Sequence, residues 1–379
     1  MKIGIDTFGC NHSQSGNGSY LLNFISNYSE QKDIELELFG FEIDRFTYIK
    51  NAQASYASVD IKDNLPSIRK WHKINLNSFI TKNKYDLVIY PGFEHVLPLH
   101  VNKKIKAVVI MNSYLTKILQ THKKSYNRRI IKALKKASLI IVGTHFIKND
   151  LLKYGISEKK INIIPNGIDH KLFSPFVNTN EEYININPFA IKKPYFVYGS
   201  SIRDKSKKHL ELIKAFEIFK KNTLSPHRLV LAGANENLDS TDDYVSQVLN
   251  AVKNSDFSSD IFITGYFPHE SFATLYAGAE ACLFPSVSEG VGLPVLEAMA
   301  CGIPVLCSKE GALEEVAGDV AMYFNSDDVS EIAYCMQKII EDNDLRLKMI
   351  ESGLKKSAPY NWSNTVLQTF EIIKSLYLY

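Results

Sequence analysis

Short apolar runs recur along the chain, and between them apolar residues return at helical spacing. In the first half, Lys2–Asp6, Glu35–Phe39, Asp86–Tyr90, Lys106–Ile110 and Leu139–Val142 have the near-continuous apolar character of buried strands. Ser19–Tyr28, Asn127–Lys136 and Phe146–Tyr154 carry the helical period instead. Ile161–Ile164 leads into the turn Pro165-Asn166-Gly167-Ile168-Asp169. Strands that alternate with helices predict a parallel sheet covered on both faces.

Ser174–Pro194 breaks the pattern with three prolines, several asparagines and no period, and reads as an interdomain linker. A second alternating series follows, with strands at Tyr195–Tyr198, Leu229–Ala232, Ile261–Ile263, Ala281–Phe284, Val305–Cys307 and Ala321–Phe324. Helices fall at Leu210–Lys220, Tyr244–Val252, Ser271–Ala277, Ser330–Glu341 and Leu345–Ser357. A last helix, about Ser363–Tyr379, places Val366, Phe370, Ile373 and Leu376 on one face. The expectation is two doubly wound α/β domains, residues 1–178 and 190–360, with a cleft between them. The helix over about 362–379 packs back on the first domain in this reading. Sheets of this kind bind ligands at the carboxyl ends of their strands.

One stretch between a strand and a helix concentrates the candidate chemistry, Ser288-Glu289-Gly290-Val291-Gly292-Leu293-Pro294-Val295-Leu296-Glu297-Ala298-Met299-Ala300. Pro294 suits a first helical position, where a missing N–H costs nothing. Leu296, Met299 and Ala300 form the buried stripe, and Glu297 is expected in the first turn, where helix N–H groups favour negative charge. Alone, Glu297 is equally a dipole-stabilising acid. Gly290 and Gly292 let backbone approach a ligand, and a glycine loop before a helix is a ready anion site.

Two other loops have similar potential. Gly16 and Gly18, after the first strand, could present N–H groups to a phosphate. Arg203-Asp204-Lys205-Ser206-Lys207-Lys208-His209, after the strand ending at Gly199, could clamp a diphosphate or be a solvated basic loop. Neither glycine loop matches G-x-G-x-x-G and no P-loop is present, which disfavours a nicotinamide cofactor and a Walker-type nucleotide site.

Composition narrows the class. The chain has 379 residues, 45% of them apolar and 22% charged, with a net charge of +3, as in an ordinary globular protein. Five cysteines without metal spacing predict reduced, buried thiols. Met1–Asp6 reads as a strand and not a signal peptide, and no run reaches the roughly 20 apolar residues of a membrane span. The expected location is cytoplasmic. From Val101 to Lys136 there are eleven Lys or Arg and no Asp or Glu, interleaved with Tyr114, Leu115, Ile118, Leu119, Tyr126 and Ile130. This suits either a solvated helix face or an anionic membrane surface, which would make the protein peripheral on the inner face of the membrane. No nucleic-acid motif accompanies the charge, so nucleic acid is not an expected partner.

Together these residues resemble the retaining glycosyltransferases of the GT-B fold, in the large Glu-x7-Glu family (group 1, family 4) that includes bacterial mannosyl- and glucosyltransferases. The resemblance is carried by Gly265-Tyr266, Leu275-Tyr276, Phe284-Pro285-Ser286, Glu289-Gly290, Gly292-Leu293-Pro294, Leu296–Ala300, Gly302, Pro304-Val305 and Glu314–Asp319. Ile164–Asp169, Phe173, the first glycine loop and Lys207-Lys208-His209-Leu210 extend it. It implies two Rossmann-like domains facing each other, an acceptor-side domain first and a nucleotide-sugar domain second. By resemblance Glu289 would hold the donor sugar's hydroxyls and Glu297 the ribose, and Val291, Gly292 and Leu293 would line sugar and phosphate. Arg203 and Lys207 would hold the diphosphate, Gly16 and Gly18 would approach it from the other domain, and Tyr266 would join the donor site. No metal or other cofactor is implied, because fixed cations and a helix N-terminus stabilise the leaving group.

Departures from the family pattern are Asn112-Ser113 where relatives have His-Asp, so that an amide takes the sugar-positioning place, and Val291 where an aromatic is common. The implied activity is retaining transfer of a hexose to a glycan or lipid-linked acceptor in bacterial surface polysaccharide synthesis, O-antigen being one such product. GDP-mannose is the first donor and a UDP-hexose the second. A GT-B sugar-nucleotide epimerase and an inactive carbohydrate-binding subunit stay open as alternatives.

Overall fold

The computed structural model describes residues 1–49, 53–94, 105–175, 182–186, 188–233, 243–265 and 267–377. It divides into two compact units, residues 1–167 with 360–379, and residues 168–359. The division falls at Gly167 and Pro359, outside the stretch expected to be the linker.

The first unit contains strands β1 (Lys2–Asp6), β2 (Glu35–Gly40), β3 (Ser55–Ser58), β4 (Leu87–Tyr90), β5 (Lys106–Met111), β6 (Leu139–Val142) and β7 (Ile161–Ile163). Its helices are α1 (Gly16–Ser26), α2 (Glu42–Tyr48), α3 (Leu65–Ile74), α4 (Leu76–Lys82), α5 (Leu115–Gln120), α6 (Lys124–Lys136) and α7 (His145–Lys153). The second unit opens with β8 (Tyr183–Ile186), β9 (Phe189–Lys192), β10 (Tyr195–Gly199), α8 (His209–Thr223), β11 (Arg228–Ala232), α9 (Asp243–Asn254) and β12 (Ile261–Ile263). It continues through α10 (His269–Ala277), β13 (Ala281–Phe284), α11 (Leu293–Ala300), β14 (Val305–Cys307), α12 (Leu313–Ala317), β15 (Met322–Tyr323), α13 (Val329–Glu341) and α14 (Asn343–Ser357). The last helix, α15 (Trp362–Ser375), belongs to the first unit.

Both large sheets are wholly parallel and Rossmann-like. The first runs β3-β2-β1-β4-β5-β6-β7 and the second β12-β11-β10-β13-β14-β15. In each, strand order reverses beside the first strand, between β1 and β4 and between β10 and β13. At that reversal the connections leave in opposite directions and open a crevice at the carboxyl edge. The central strands β4, β6, β13 and β14 are buried at every position, as strands covered on both faces must be.

The first unit's core draws Ile3, Ile5, Leu87, Ile89, Val108 and Ile110 from the strands and Tyr20, Leu21 and Phe24 from α1. Trp362, Val366, Phe370 and Ile373 of α15 complete it. Trp362 meets Tyr20 edge-on at 5.3 Å, and Phe370 packs 5.7 Å from Phe24 and 5.2 Å from Tyr28. Burying such rings contributes on the order of 2 kcal/mol each, which explains why α15 docks here. Gly167 permits the return, since a side-chain carbon there would lie 2.2 Å from the backbone nitrogen of Trp362.

The structure corrects the expected linker. Its described part holds an antiparallel hairpin, β8 with β9, and Ile184, Ile186 and Ile191 are buried. Ile184 packs against Gly278 at the end of α10. Residues 41–85, for which no element was expected, contain α2, β3, α3 and α4. A cue was present for α3: Asn64 accepts a hydrogen bond from the Ser67 N–H at 2.9 Å, and Pro66 lies in the first turn. All five cysteines are free and buried, and burial pushes the Cys301 and Cys307 thiols up to about 12.

Candidate active site

In the second unit the parallel pairing of β10 with β13 sets Phe196 beside Ala281 and Val197 beside Cys282, so the loops leaving both strands emerge together. After β10 the chain makes a short 3-10 turn, Lys205–Lys207, which Asp204 caps by accepting from Ser206 N–H at 3.0 Å and its hydroxyl at 2.6 Å. After β13, Val287 N–H donates to the Ser206 carbonyl at 2.8 Å and ties the two loops together. Lys207 then pairs with Glu289. Their side chains keep 15% and 18% exposure, so both can still reach a ligand.

The backbone of Glu289 is fixed from behind. Its carbonyl accepts from Ala312 N–H at 2.9 Å, and Gly311, at φ +64°, passes so close that a side-chain carbon would sit 2.5 Å from that carbonyl oxygen. Gly292 adopts φ +65° at the N-cap of α11, a conformation glycine adopts without strain. Val291 and Leu293 flank it, both half-buried. The N–H groups opening α11 form the positive end of a helix dipole within the same loop as Glu289.

Three expectations change here. Helix α11 begins at Leu293, so Pro294 is its second residue and Glu297 its fifth, past the first turn. Glu297 is therefore no simple dipole acid. It is buried, and its Oε1 lies 3.0 Å from Nε2 of His269, the first residue of α10. The side chains of the cationic loop do not share one partner either. Lys208, left-handed at φ +58°, turns to Glu211 at 3.0 Å and Asp327 at 2.6 Å. His209 is fully buried, and burial, helped by the charge of Lys207, lowers its pKa to about 3, leaving a neutral core residue. Lys207 is the cation brought to Glu289, while Arg203 is exposed on the preceding turn. Tyr266 lies outside the described residues.

The first unit has its own cluster at the carboxyl edge of β4 and β5. Asn166 donates to Asn112 Oδ1 at 3.1 Å, Asn112 donates to Asn17 Oδ1 at 3.4 Å, and Asn17 donates to Glu94 at 3.3 Å. Asn112 thus uses both ends of its amide, where a histidine was the family expectation. Burial raises the Glu94 pKa, with the Asn17 hydrogen bond opposing. No motif marks Glu94 in the sequence, although an acid just beyond a strand's carboxyl end satisfies the ligand rule for such sheets.

Gly16 and Gly18 lie inside the first turn of α1 rather than before it. A side-chain carbon at Gly18 would meet the Cys10 carbonyl at 2.2 Å, whereas at Gly16 it would meet nothing within 4 Å. Gly18 is therefore needed for packing, and Gly16 opens onto free space. The preceding residues Asn11, His12 and Ser13 all have positive φ, of 47°, 50° and 71°. His12 holds them by bridging Asp44 at 2.7 Å and Asp63 at 2.8 Å.

On this fold the comparisons with known proteins converge. Residues 179–356 match the family model "Glycosyl transferases group 1" and residues 16–172 match "Glycosyltransferase Family 4". Between them the two matches span most of the chain, which belongs to this glycosyltransferase family. Over 165 residues, 44% of the chain, it is 33% identical to the O-antigen chain mannosyltransferase B of Escherichia coli. The matched stretch is only 42% of that protein's length. Among solved structures, sucrose-phosphate synthase from Thermosynechococcus elongatus superposes with a TM-score of 0.76 at 17% identity, covering 100% of this chain and 99% of the other. Anabaena HepE in complex with UDP-glucose gives 0.75 at 17%, covering 99% and 100%. Both share the two-domain GT-B architecture.

The two glycines make separable predictions. Gly18→Ala is expected to destabilise the protein by about 1–3 kcal/mol, the scale of overpacking. Gly16→Ala is expected to keep or slightly raise stability, by about 0.4–1 kcal/mol, while lowering turnover. Urea unfolding and a transfer assay measure both, and a Gly16→Ala enzyme with wild-type turnover removes Gly16 from the ligand assignments.

Proposed function

We propose that this glycosyltransferase moves a hexose, with retention, from a sugar nucleotide to a glycan or lipid-linked acceptor in bacterial surface polysaccharide synthesis. The supporting observation is the meeting of Lys207 and Glu289 at the strand-order reversal, in the loop that opens α11. A donor needs opposite things of one small region: cations for a diphosphate and acceptors for sugar hydroxyls. The pair keeps both oriented, and a bound donor separates them, Lys207 turning to phosphate oxygen and Glu289 to hydroxyl groups. Arg203 supports the diphosphate from the turn before. Val291, Gly292 and Leu293 line sugar and phosphate, Glu297 holds the ribose, and Tyr266 belongs to the donor set.

As the anomeric carbon–oxygen bond breaks, negative charge grows on the leaving diphosphate. Lys207 and the N-terminus of α11 are already placed to offset it, which is the proposed reason no metal is required. The acceptor hydroxyl attacks from the same face, and its proton passes to the departing phosphate oxygen. Asn112, set by Asn166 and Asn17, takes the sugar-positioning place.

The first donor reading is GDP-mannose, its sugar supported by the mannosyltransferase relative. A UDP-hexose is the second, motivated by the UDP-glucose bound to the HepE neighbour. An epimerase would give epimer without free nucleotide when incubated with donor alone, and an inactive subunit would give neither product.

The protein is proposed to act in the cytoplasm, resting on anionic lipid. No helix among the described residues is long and apolar enough to cross a membrane. Lys123, Lys124, Arg128, Arg129, Lys132, Lys135 and Lys136 are all exposed around α6. Several of the apolar residues interleaved with them face inward. Leu115, Ile118 and Ile130 are buried, and Tyr126 donates to the Glu94 carbonyl at 3.0 Å beneath the Arg69 guanidinium. Adhesion would therefore be electrostatic, at roughly 1 kcal/mol per cation at the surface.

Glu289→Ala and Lys207→Ala are each expected to lower turnover by at least about 100-fold, the scale of losing a preorganised electrostatic contact. Steady-state transfer rates check this, and wild-type rates in both variants would sink the site. Binding to phosphatidylserine vesicles is expected to fall steeply between low and physiological salt. Salt-insensitive sedimentation, or none, removes the membrane proposal.

A further inference from the structure

Glu297 presents a physical problem that its position in the family pattern does not address. Its carboxylate is only 5% exposed, on the helix α11 that also buries Val295, Leu296, Ala298 and Met299. A buried carboxylate without a partner is costly. The partner here is His269, whose Nε2 lies 3.0 Å from Oε1 and whose side chain is 49% exposed.

The imidazole is held in place as well as exposed. Phe173, 1% exposed, meets it edge-on at 5.3 Å. Phe173 is itself seated by its N–H donating to the Asp169 carbonyl at 2.8 Å. His269 opens α10, a helix end that disfavours positive charge. The hydrogen bond to Glu297 nevertheless raises its pKa against the opposing effect of burial, and the carboxylates of Glu297 on α11, Glu270 on its own helix and Asp169 on the neighbouring loop add to the rise.

We propose that His269 is a positioning residue that turns the Glu297 carboxylate toward the ribose hydroxyls of the sugar nucleotide, so that recognition of the diol depends on this imidazole. The inference rests on the reading of Glu297 as the ribose holder. With Oε1 committed to Nε2, Oε2 is the oxygen presented to a hydroxyl donor, and Phe173 prevents the ring from following the ligand. The charged ring is present below its raised pKa and is lost as pH rises through it. Diol recognition therefore weakens as pH rises through that raised pKa. A pair that merely pins α10 to α11 would leave ligand discrimination untouched.

The test compares the affinity of the full chain for GDP and 2′,3′-dideoxy-GDP, and for the matching uridine pair, by titration calorimetry from pH 6 to 9. Wild-type protein is expected to bind the dideoxy compound about tenfold or more weakly, the scale of a hydrogen bond to a charged group. That ratio should shrink as pH rises. His269→Ala should bring the ratio close to one. His269→Gln, which keeps an N–H donor, should preserve part of it without pH dependence, and it decides the matter if the alanine variant does not fold. Variants that keep the wild-type ratio and its pH dependence overturn the proposal while leaving the glycosyltransferase reading intact. Wild-type protein that binds neither GDP nor UDP overturns both.

Discussion

Parallel pairing of β10 with β13 is the constraint on which the candidate donor site depends. Because the two strands lie side by side and point the same way, the loops after Gly199 and Phe284 must leave the sheet at one edge. Residues 82 positions apart in sequence, Lys207 and Glu289, thereby become hydrogen-bonded neighbours. Nothing in either loop alone would hold them there. The Val287–Ser206 backbone bond joins the loops, Asp204 shapes one, and Gly311 lets a third segment support the other.

The charges around this edge divide by burial and partner rather than by residue type. Lys208 is held by two carboxylates and serves the fold, and the raised pKa it owes first to Asp327 reflects that. His209, a residue further on, is neutral because it is buried. Lys207 is partly exposed and faces the equally accessible carboxylate of Glu289. A partly exposed pair of this kind adds little to stability, of the order of 0–1 kcal/mol. Its value is in orientation. The first unit shows the same economy in neutral groups, where the run Asn166, Asn112, Asn17 fixes three amides and ends on Glu94.

Much of this was legible in the chain, and the reasons differ by element. Strands such as Leu139–Val142 and Ala281–Phe284 are apolar at nearly every position because helices cover both faces, so their boundaries follow from the pattern. Ser55–Ser58 is an edge strand with no apolar run, and only its pairing to β2 reveals it. The hairpin after Phe173 was hidden by proline and asparagine, yet three isoleucines carry its burial. At the site, the glycine spacing around Glu289 marks the loop that the fold brings to Lys207. His269 gave no such signal, since its place depends on how α10 and α11 pack, which no local pattern encodes. The seven-residue cationic loop stayed open between two readings for the converse reason: composition counts charges but not their partners.

The central claim, that a nucleoside diphosphate is held at this edge by Lys207, is tested most directly by ligand-induced stabilisation. Equilibrium unfolding of wild type and Lys207→Met should be followed with GDP and with UDP at 100 times the wild-type Kd. Binding to the folded state alone should stabilise the wild type by about 2.7 kcal/mol with at least one of them, and Lys207→Met should lose most of that gain. No stabilisation by either nucleotide, or an equal response from the variant, would contradict the account.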